Sequence, residues 1–241
     1  MPTISSVGKC FFCKAEFTKV GINKHINSHL AKEPKNQDSG LSFHIRVEED
    51  PRFGNLYFLN LWVDGDALMS DIDIFLRAIW LECCGHLSSF SYPKQKKVLT
   101  IFDEDKFLSD INEIMDSKAK DILVNGTKLK YDYDFGSTTT LFLNVLAQYN
   151  ITVPGDIILL SRNEPLNILC EICGSAPAVV LCTTCYEPNA FCNKCAKKHA
   201  KTCDDFADYS KMPVVNSPRM GVCAYAGGTI DIKRDGIFVS K

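Results

Sequence analysis

The sequence has no apolar run long enough to cross a membrane: the stretch Ile157 to Leu160 is far shorter than the roughly 20 residues a spanning helix needs. The opening Met1-Pro-Thr-Ile-Ser-Ser-Val-Gly-Lys9 carries no apolar core for export, so no oxidising compartment is implied and a cytoplasmic location is expected. An excess of charge of either sign is also missing, because 27 Lys and Arg oppose 29 Asp and Glu for a formal net charge of -2. Without a global basic field, any nucleic-acid contact needs a local patch; without an acidic excess, and with 46% hydrophobic residues, a packed core is expected rather than disorder. No solenoid or propeller period is visible. Catalytic fingerprints are missing as well. Asp134-Phe-Gly136 spells the magnesium-binding triplet of kinases, yet no glycine-rich phosphate loop and no His-Arg-Asp loop accompany it.

Cysteine is what the chain has in quantity. Of its twelve, seven lie with one histidine in a single short stretch: Cys170-x₂-Cys173, Cys182-x₂-Cys185, Cys192-x₂-Cys195, His199 and Cys203. Divalent zinc prefers thiolate and imidazole donors, and a Cys-x₂-Cys turn brings two sulfurs to one ion, so eight such ligands satisfy two tetrahedral sites. Disulfide scaffolding is the competing explanation, and four Cys-x₂-Cys pairs speak for metal instead. In an interleaved arrangement Cys170, Cys173, Cys192 and Cys195 bind one zinc and Cys182, Cys185, His199 and Cys203 the other. A sequential arrangement pairs the first four and the last four. The order and spacing from Leu169 to Asp204 resemble B-box and MYND-type cross-brace fingers, which favours interleaving and implies a role in protein contacts. So small a module has little apolar core, so metal should supply most of its folding free energy, on the order of 10 kcal/mol per site.

A second zinc pattern opens the chain. Cys10-x₂-Cys13 precedes His25-x₃-His29, whose histidines stand one helical turn apart and share a face, with Phe17 and Ile22 as apolar filling for a small ββα finger. Gly21 falls in the expected helix. Three zinc ions in all are expected. Cys83, Cys84, Cys223, His44 and His86 are left over. Cys83 and Cys84 end an apolar helix and are expected to pack there as small hydrophobes. The sharper alternative is an additional metal or thiol site joining Cys84, His86 and Cys223.

Five units follow from composition: the C2H2-like finger at 1–31, a polar linker at 32–40, a core at 41–163, the double finger at 164–208 and an ordered strap at 209–241. Within the core, Ser42 to Val47 alternates as a strand and Asn55 to Val63 gives a second, closed by Asp64-Gly-Asp66. Ala67 to Cys84 has helical spacing, with Leu68, Ile72, Phe75, Leu76, Ile79 and Trp80 on one face, Asp71 and Asp73 near its positive end, and Gly85 as a stop. Val98 to Phe102 is a strand candidate and Phe107 to Asp116 a short helix. Leu129 to Phe135 alternates, and Thr139 to Gln148 is expected extended rather than helical. This order predicts an α+β fold, with a helix packed on one face of a mixed sheet. In the strap, Met212-Pro-Val-Val-Asn-Ser-Pro-Arg-Met-Gly221 excludes a regular helix, and Ile230 to Val239 offers a last strand or a hairpin around Asp235-Gly236.

Tyr131, Tyr133, Asp134, Phe135 and Gly136 spell Tyr-x-Tyr-Asp-Phe-Gly, preceded by Phe75-Leu-Arg-Ala-Ile-Trp80 and Cys84-Gly-His-Leu87. On these residues the segment from about Leu41 to Leu160 resembles the plasmid Ri ORF-three-like family, also labelled insertion-element passenger proteins of the TnpR type. Many members continue with Asp-x-Trp where this chain has Ser137, Thr138 and Thr139. The resemblance implies a ubiquitin-like strand-helix arrangement, carriage by a mobile element and no established activity. Recombinase chemistry does not fit, because Ser5 and Ser6 directly precede the finger and the first arginine is Arg46.

The expectation is a zinc-binding adaptor without catalytic activity, with a protein partner. The alternative is a nucleic-acid-binding accessory factor. Counting back from His25 puts Thr18, Gly21 and Lys24 at a finger's base-reading places, and Lys19 and Lys24 are the candidate contacts. Further lysines occur at Lys9, Lys14 and Lys32, within Tyr92-Pro-Lys-Gln-Lys-Lys97, and at Lys194, Lys197, Lys198 and Lys201; each is a solvated face unless phosphate is shown there.

Overall fold

The computed structural model describes residues 6–33, 40–93, 112–230 and the strand Ile237–Phe238. In chain order the first elements are β1 (Val7–Lys9), β2 (Glu16–Thr18) and α1 (Gly21–Leu30). The core follows with β3 (Ser42–Glu49), β4 (Phe58–Asp64), α2 (Met69–Leu76), a π-helical turn (Arg77–Leu81), β5 (Ser88–Ser91), α3 (Ala119–Ile122), β6 (Lys128–Tyr133), β7 (Thr139–Tyr149) and β8 (Ile157–Arg162). Last come β9 (Val180–Cys182), β10 (Ala190–Phe191), α4 (Asn193–His199), α5 (Asp204–Asp208), β11 (Lys211–Pro213) and β12 (Ile237–Phe238). Helices and sheets together make the α+β fold expected.

Seven strands form one sheet in the order β12-β8-β4-β3-β7-β6-β5. Every ladder in it is antiparallel, which corrects the mixed sheet expected from the element order. A hairpin followed by a helix begins the core, as the ubiquitin-like expectation requires, but the parallel pairing of a mixed sheet is absent among the described residues.

Alternation along the central strands gives the sheet two apolar faces. Phe43, Ile45 and Val47 of β3 and Leu59, Leu61 and Val63 of β4 belong to the cluster that holds Ile72, Phe75 and Leu76 of α2 and Ile79 and Trp80 of the π-helical turn. On β4 and β8 the intervening Phe58, Trp62, Ile158 and Leu160 meet Ile22, Ile26 and Leu30 of α1. The architecture is therefore three layers, helix on sheet on finger. Each finger side chain in that contact is fully buried, worth roughly 2 kcal/mol apiece. The finger at 1–31 is thus packed on the core rather than held only by a linker.

Polar bonds fix the finger's position. Phe11 N–H donates to the Leu160 carbonyl at 2.8 Å and Glu164 N–H to that of Val7 at 2.7 Å. Gly8 sits so close to β8 that a Cβ there would lie 2.7 Å from the Arg162 carbonyl oxygen. Arg46 reaches from β3 to Asn23 Oδ1 at 2.6 Å and to the Lys19 carbonyl at 2.8 Å. Beneath α1 the His44 imidazole bridges two amides, with Nδ1 2.6 Å from Asn27 Oδ1 and Nε2 2.8 Å from Asn60 Oδ1. Asn60 Nδ2 is buried without a partner. Turning the Asn60 amide over lets a neutral His44 donate to Asn27 and accept from Asn60, which satisfies all three groups.

The expected helix from Ala67 to Cys84 is shorter than its pattern. Leu68 is its extended N-cap, with its N–H 2.7 Å from Asp71 Oδ2, and the α-helix gives way at Arg77 to a wider turn that ends at Leu81. Asp73 points inward instead of serving the helix end: it accepts from the Tyr131 hydroxyl at 2.6 Å, the Ser88 hydroxyl at 2.5 Å and Arg77 Nε at 2.8 Å. Strand β5 and strand β8 were not expected. The strand at Val98 to Phe102, residues 107–111 of the short helix, most of the linker, Lys94 to Lys97 and the Asp235-Gly236 turn lie outside the described residues.

Two outcomes follow. Gly8→Ala forces finger and sheet apart, and should lower stability by roughly 1–3 kcal/mol in chemical denaturation, with loss of hydrogen-exchange protection in α1. Burial, with Arg46 adding to it, pushes His44 down to about 4 although Asn60 opposes the shift. The folded chain then binds fewer protons than the unfolded chain between about pH 6.5 and 4, so acidification through that window destabilises it by on the order of 3 kcal/mol. NMR titration should find His44 neutral until about pH 4; a midpoint near 6.5 would contradict the packing described.

Candidate metal centres

Four groups of Cys and His bring their ligand atoms within 4.8 Å of one another. Between them they take all twelve cysteines and four of the five histidines, so His44 alone stands outside.

The first group is Cys10, Cys13, His25 and His29. The two cysteines lie on the turn between β1 and β2, which Cys10 closes by donating its N–H to Ala15 and accepting from Lys14 N–H. Lys14 takes a left-handed φ of 62° there. Gly21 opens α1 instead of interrupting it, and its N–H is 3.3 Å from the Thr18 hydroxyl. His25 and His29 share the helix face, with Nε2 atoms 3.1 Å apart, and Cys13 Sγ is 3.1 Å from His25 Nε2. Phe17 stacks on His25 at 4.0 Å and Phe12 on His29 at 5.0 Å, which fixes both rings.

The second and third groups are interleaved. Cys170, Cys173, Cys192 and Cys195 converge, and Cys182, Cys185, His199 and Cys203 converge beside them. Helix α4 joins the two, with Cys192 as its N-cap, Cys195 in its first turn and His199 at its end. In the second group Cys173 and Cys192 sulfurs are 4.0 Å apart. In the third, Cys185 Sγ lies 3.6 Å from His199 Nε2 and 3.8 Å from Cys203 Sγ. Tetrahedral sulfur ligands of one zinc stand about 3.8 Å apart, so these spacings suit the ion. Phe191 stacks on His199 at 4.3 Å and Phe206 meets its edge at 4.9 Å, giving the module its small apolar centre.

Electrostatics favours a cation in both. Backbone N–H groups of Ser175 and Ala176, with the Ser175 hydroxyl, hold Cys173 down at about 6. Burial works against ionisation of Cys182, but the Ser210 and Thr184 hydroxyls outweigh it and bring that thiol down to about 5. By contrast, burial and the adjacent Cys170 and Cys192 sulfurs push Cys195 up to about 12, and Cys182 pushes Cys185 up to about 11. Some thiols are held as thiolates and their neighbours are thereby kept protonated. A divalent cation relieves that conflict, because its charge ionises the whole set.

The fourth group is Cys83, Cys84, His86 and Cys223. Cys84, His86 and Cys223 come together as the sharper of the two expectations had it, and Cys83 joins them while also packing against the core. Cys84 Sγ is 3.6 Å from both Cys83 and Cys223 sulfurs, and His86 Nε2 is 3.0 Å from Cys84 Sγ and 3.2 Å from Cys223 Sγ. Two residues not recognised from sequence support it. Arg219, fully buried, donates to Asp134 Oδ2 at 2.7 Å and to Cys83 Sγ at 3.5 Å. Asp134, at a left-handed φ of 65°, also accepts from the Gly136 and Ser137 N–H groups and lies 3.5 Å from His86 Nε2. The signal available was arithmetic: three cysteines beyond the two zinc patterns, with a histidine next to two of them, make a fourth tetrahedron.

The candidate nucleic-acid contacts divide. Lys19 is engaged, with its ammonium 2.9 Å from Glu48 Oε1 and bonded to Asn55. Lys24 is exposed. Among the described residues no helix is long and apolar enough to cross a membrane.

No protein-family model matches the chain, and no curated protein matches it. Among solved structures it is similar to a crystallised protein of unknown function from Methanosarcina mazei Go1, at 14% identity over 50% of this chain and 68% of that one, with a TM-score of 0.36.

Proposed function

We propose that the chain is a zinc-supported interaction protein without catalytic activity, whose partner is another protein. The observation that carries this reading is the interleaved double finger together with what surrounds it. Ile172, Val179, Tyr186 and Tyr209 are all exposed on that module, Tyr186 at 93%. A groove of about 480 Å³ runs beside it, lined by Glu171, Tyr186, Glu187, Asn189, Met220 and Gly221 among others. Exposed tyrosine beside a polar groove is the composition of a contact surface, because its ring supplies area at low entropic cost and its hydroxyl tolerates water. Zinc is the ion we assign to the three centres of the fingers, on donor type, ligand number and spacing.

The nucleic-acid reading is weaker on this geometry. The finger's helix buries Ile22, Ile26 and Leu30 in the core and turns Asn23 and Asn27 to the sheet, and Lys19 is committed to Glu48. Lys24 remains as its long-reach contact. Little or no shift of duplex DNA at low salt is the expected result, and binding that fades steeply as salt rises would reverse the preference.

Chelation supplies the direct check. Stripping zinc should melt residues 169–204, abolishing hydrogen-exchange protection in α4, while β3 and β4 stay protected. Cys182→Ser should cost one zinc by mass spectrometry and destabilise the same segment by several kcal/mol. For the partner, affinity purification from the native host with wild-type bait and with the double variant Ile172→Asp/Tyr186→Ala should show a protein retained by the first and lost from the second. Identical recoveries would remove this surface from consideration.

A further inference from the structure

We propose that Cys83, Cys84, His86 and Cys223 form a fourth zinc site, which latches the C-terminal strap onto the end of the core helix. This goes beyond the interaction reading and does not depend on it. Three cysteine sulfurs and one imidazole nitrogen converge from two chain regions 137 to 139 residues apart in sequence. Sulfur separations of 3.6 Å match what one tetrahedral ion imposes, about 3.8 Å, and are far from a disulfide bond of about 2.05 Å. The set has the composition Cys₃His, one of the ordinary structural zinc sets.

The backbone is arranged for it. Cys223 and Ala224 are consecutive non-glycine residues in the left-handed region, at φ 48° and 54°, and Gly85 between the helix end and His86 has φ 77°. For non-glycine residues such as Cys223 and Ala224 these conformations are sparsely populated and persist where a ligand or dense packing fixes them, whereas Gly85 adopts its own freely. Cys84 and Cys223 are exposed, so dense packing is not what holds their side chains. Arg219 supplies positive charge at Cys83 in place of the backbone N–H groups that serve Cys173.

What the ion would hold is visible in the strap. Ser217 donates to the Trp80 carbonyl at 2.6 Å, Arg219 to Asp134, Ser137 and Thr139, and Ile230 N–H to the Ala78 carbonyl at 3.3 Å. Gly228 passes so near the π-helical turn that a Cβ would meet the Ala78 and Ile79 carbonyl oxygens at 2.4 Å. The strap is thus bonded to the wide turn at both ends of its run, and Cys223 lies between them, beside Cys84 and His86. Tyr225, fully buried two residues on, is held down with it.

The test uses the full zinc-replete chain. Native mass spectrometry should find four zinc ions in wild type and three in Cys84→Ser and in Cys223→Ser, with α4 still protected from exchange. A wild-type count of three that Cys84→Ser leaves unchanged overturns the fourth site while leaving the finger assignments standing. Chymotrypsin should cut after Tyr225 at least tenfold faster in Cys84→Ser, and equal rates overturn the latch. If the variants do not fold, iodoacetamide mapping on wild type decides. Cys84 and Cys223 should be protected when zinc is present and be among the first to react as a chelator is titrated in. Labelling of both at the chelated rate in the replete protein, or a Cys84–Cys223 disulfide in the protein as isolated, overturns the proposal.

Discussion

Mutual repulsion among clustered thiolates is the constraint that governs how this chain's cysteine-bearing segments can be ordered. Four sulfurs, or three and an imidazole, cannot be gathered within 4.8 Å and ionised unless something positive lies between them. Without it the group compromises, one thiolate favoured by local donors and the next kept protonated, as Cys173 and Cys195 show in opposite directions. A cation would remove the compromise and turn each group into a cross-link. The segments involved have few other means of ordering themselves. The double finger's apolar centre contains little beyond Phe191, Phe206, Ala196 and the cysteines themselves.

The seven-stranded sheet is organised on different terms. It needs no ion, because both of its faces are apolar and both are covered. The finger serves as one of those covers, which changes what the finger is for. A ββα unit that reads nucleic acid has to bring its helix into a groove. Here that helix is spent on Phe58, Trp62, Ile158 and Leu160, and the His44 and Arg46 side chains beneath it are bonded to Asn27 and Asn23. Packing of α1 on the sheet therefore couples the order of the finger to that of the core.

What could be read from sequence was whatever obeys a short-range rule. Strands β3, β4, β6 and β7 alternate or are β-branched, and their positions followed; the ligand sets of the fingers followed from Cys-x₂-Cys spacing. Strand β5 is Ser-Ser-Phe-Ser, with too little apolar content to signal, and β8 is buried on both sides, so its Ile-Ile-Leu-Leu shows no period. Strand direction was misjudged because pairing is a long-range property: β3 lies between β4 and β7, the latter almost a hundred residues on. The helix pattern overran its true end for the same reason. Its last turn widens where Ile230 and Thr229 take the Ala78 carbonyl, a contact 151 residues apart in sequence for Thr229. Local spacing cannot announce such a partner. Arg219 was likewise illegible, since nothing near it in sequence marks an arginine destined for full burial against Asp134.

The strap brings these two kinds of order together. Its Ser217 and Arg219 bonds belong to the core, while its neighbour Gly221 lines the groove beside the double finger. A segment shared in this way couples the proposed contact surface to the core. A tie between Cys223 and His86 would limit where Met220 and Gly221 lie relative to the sheet, and with them the groove wall they form. Release of that tie would leave the double finger folded but alter one side of its groove. An ion at the proposed fourth site would bear on the proposed contact surface through the shape of a neighbouring wall, whereas ions in the double finger would bear on whether that surface exists at all.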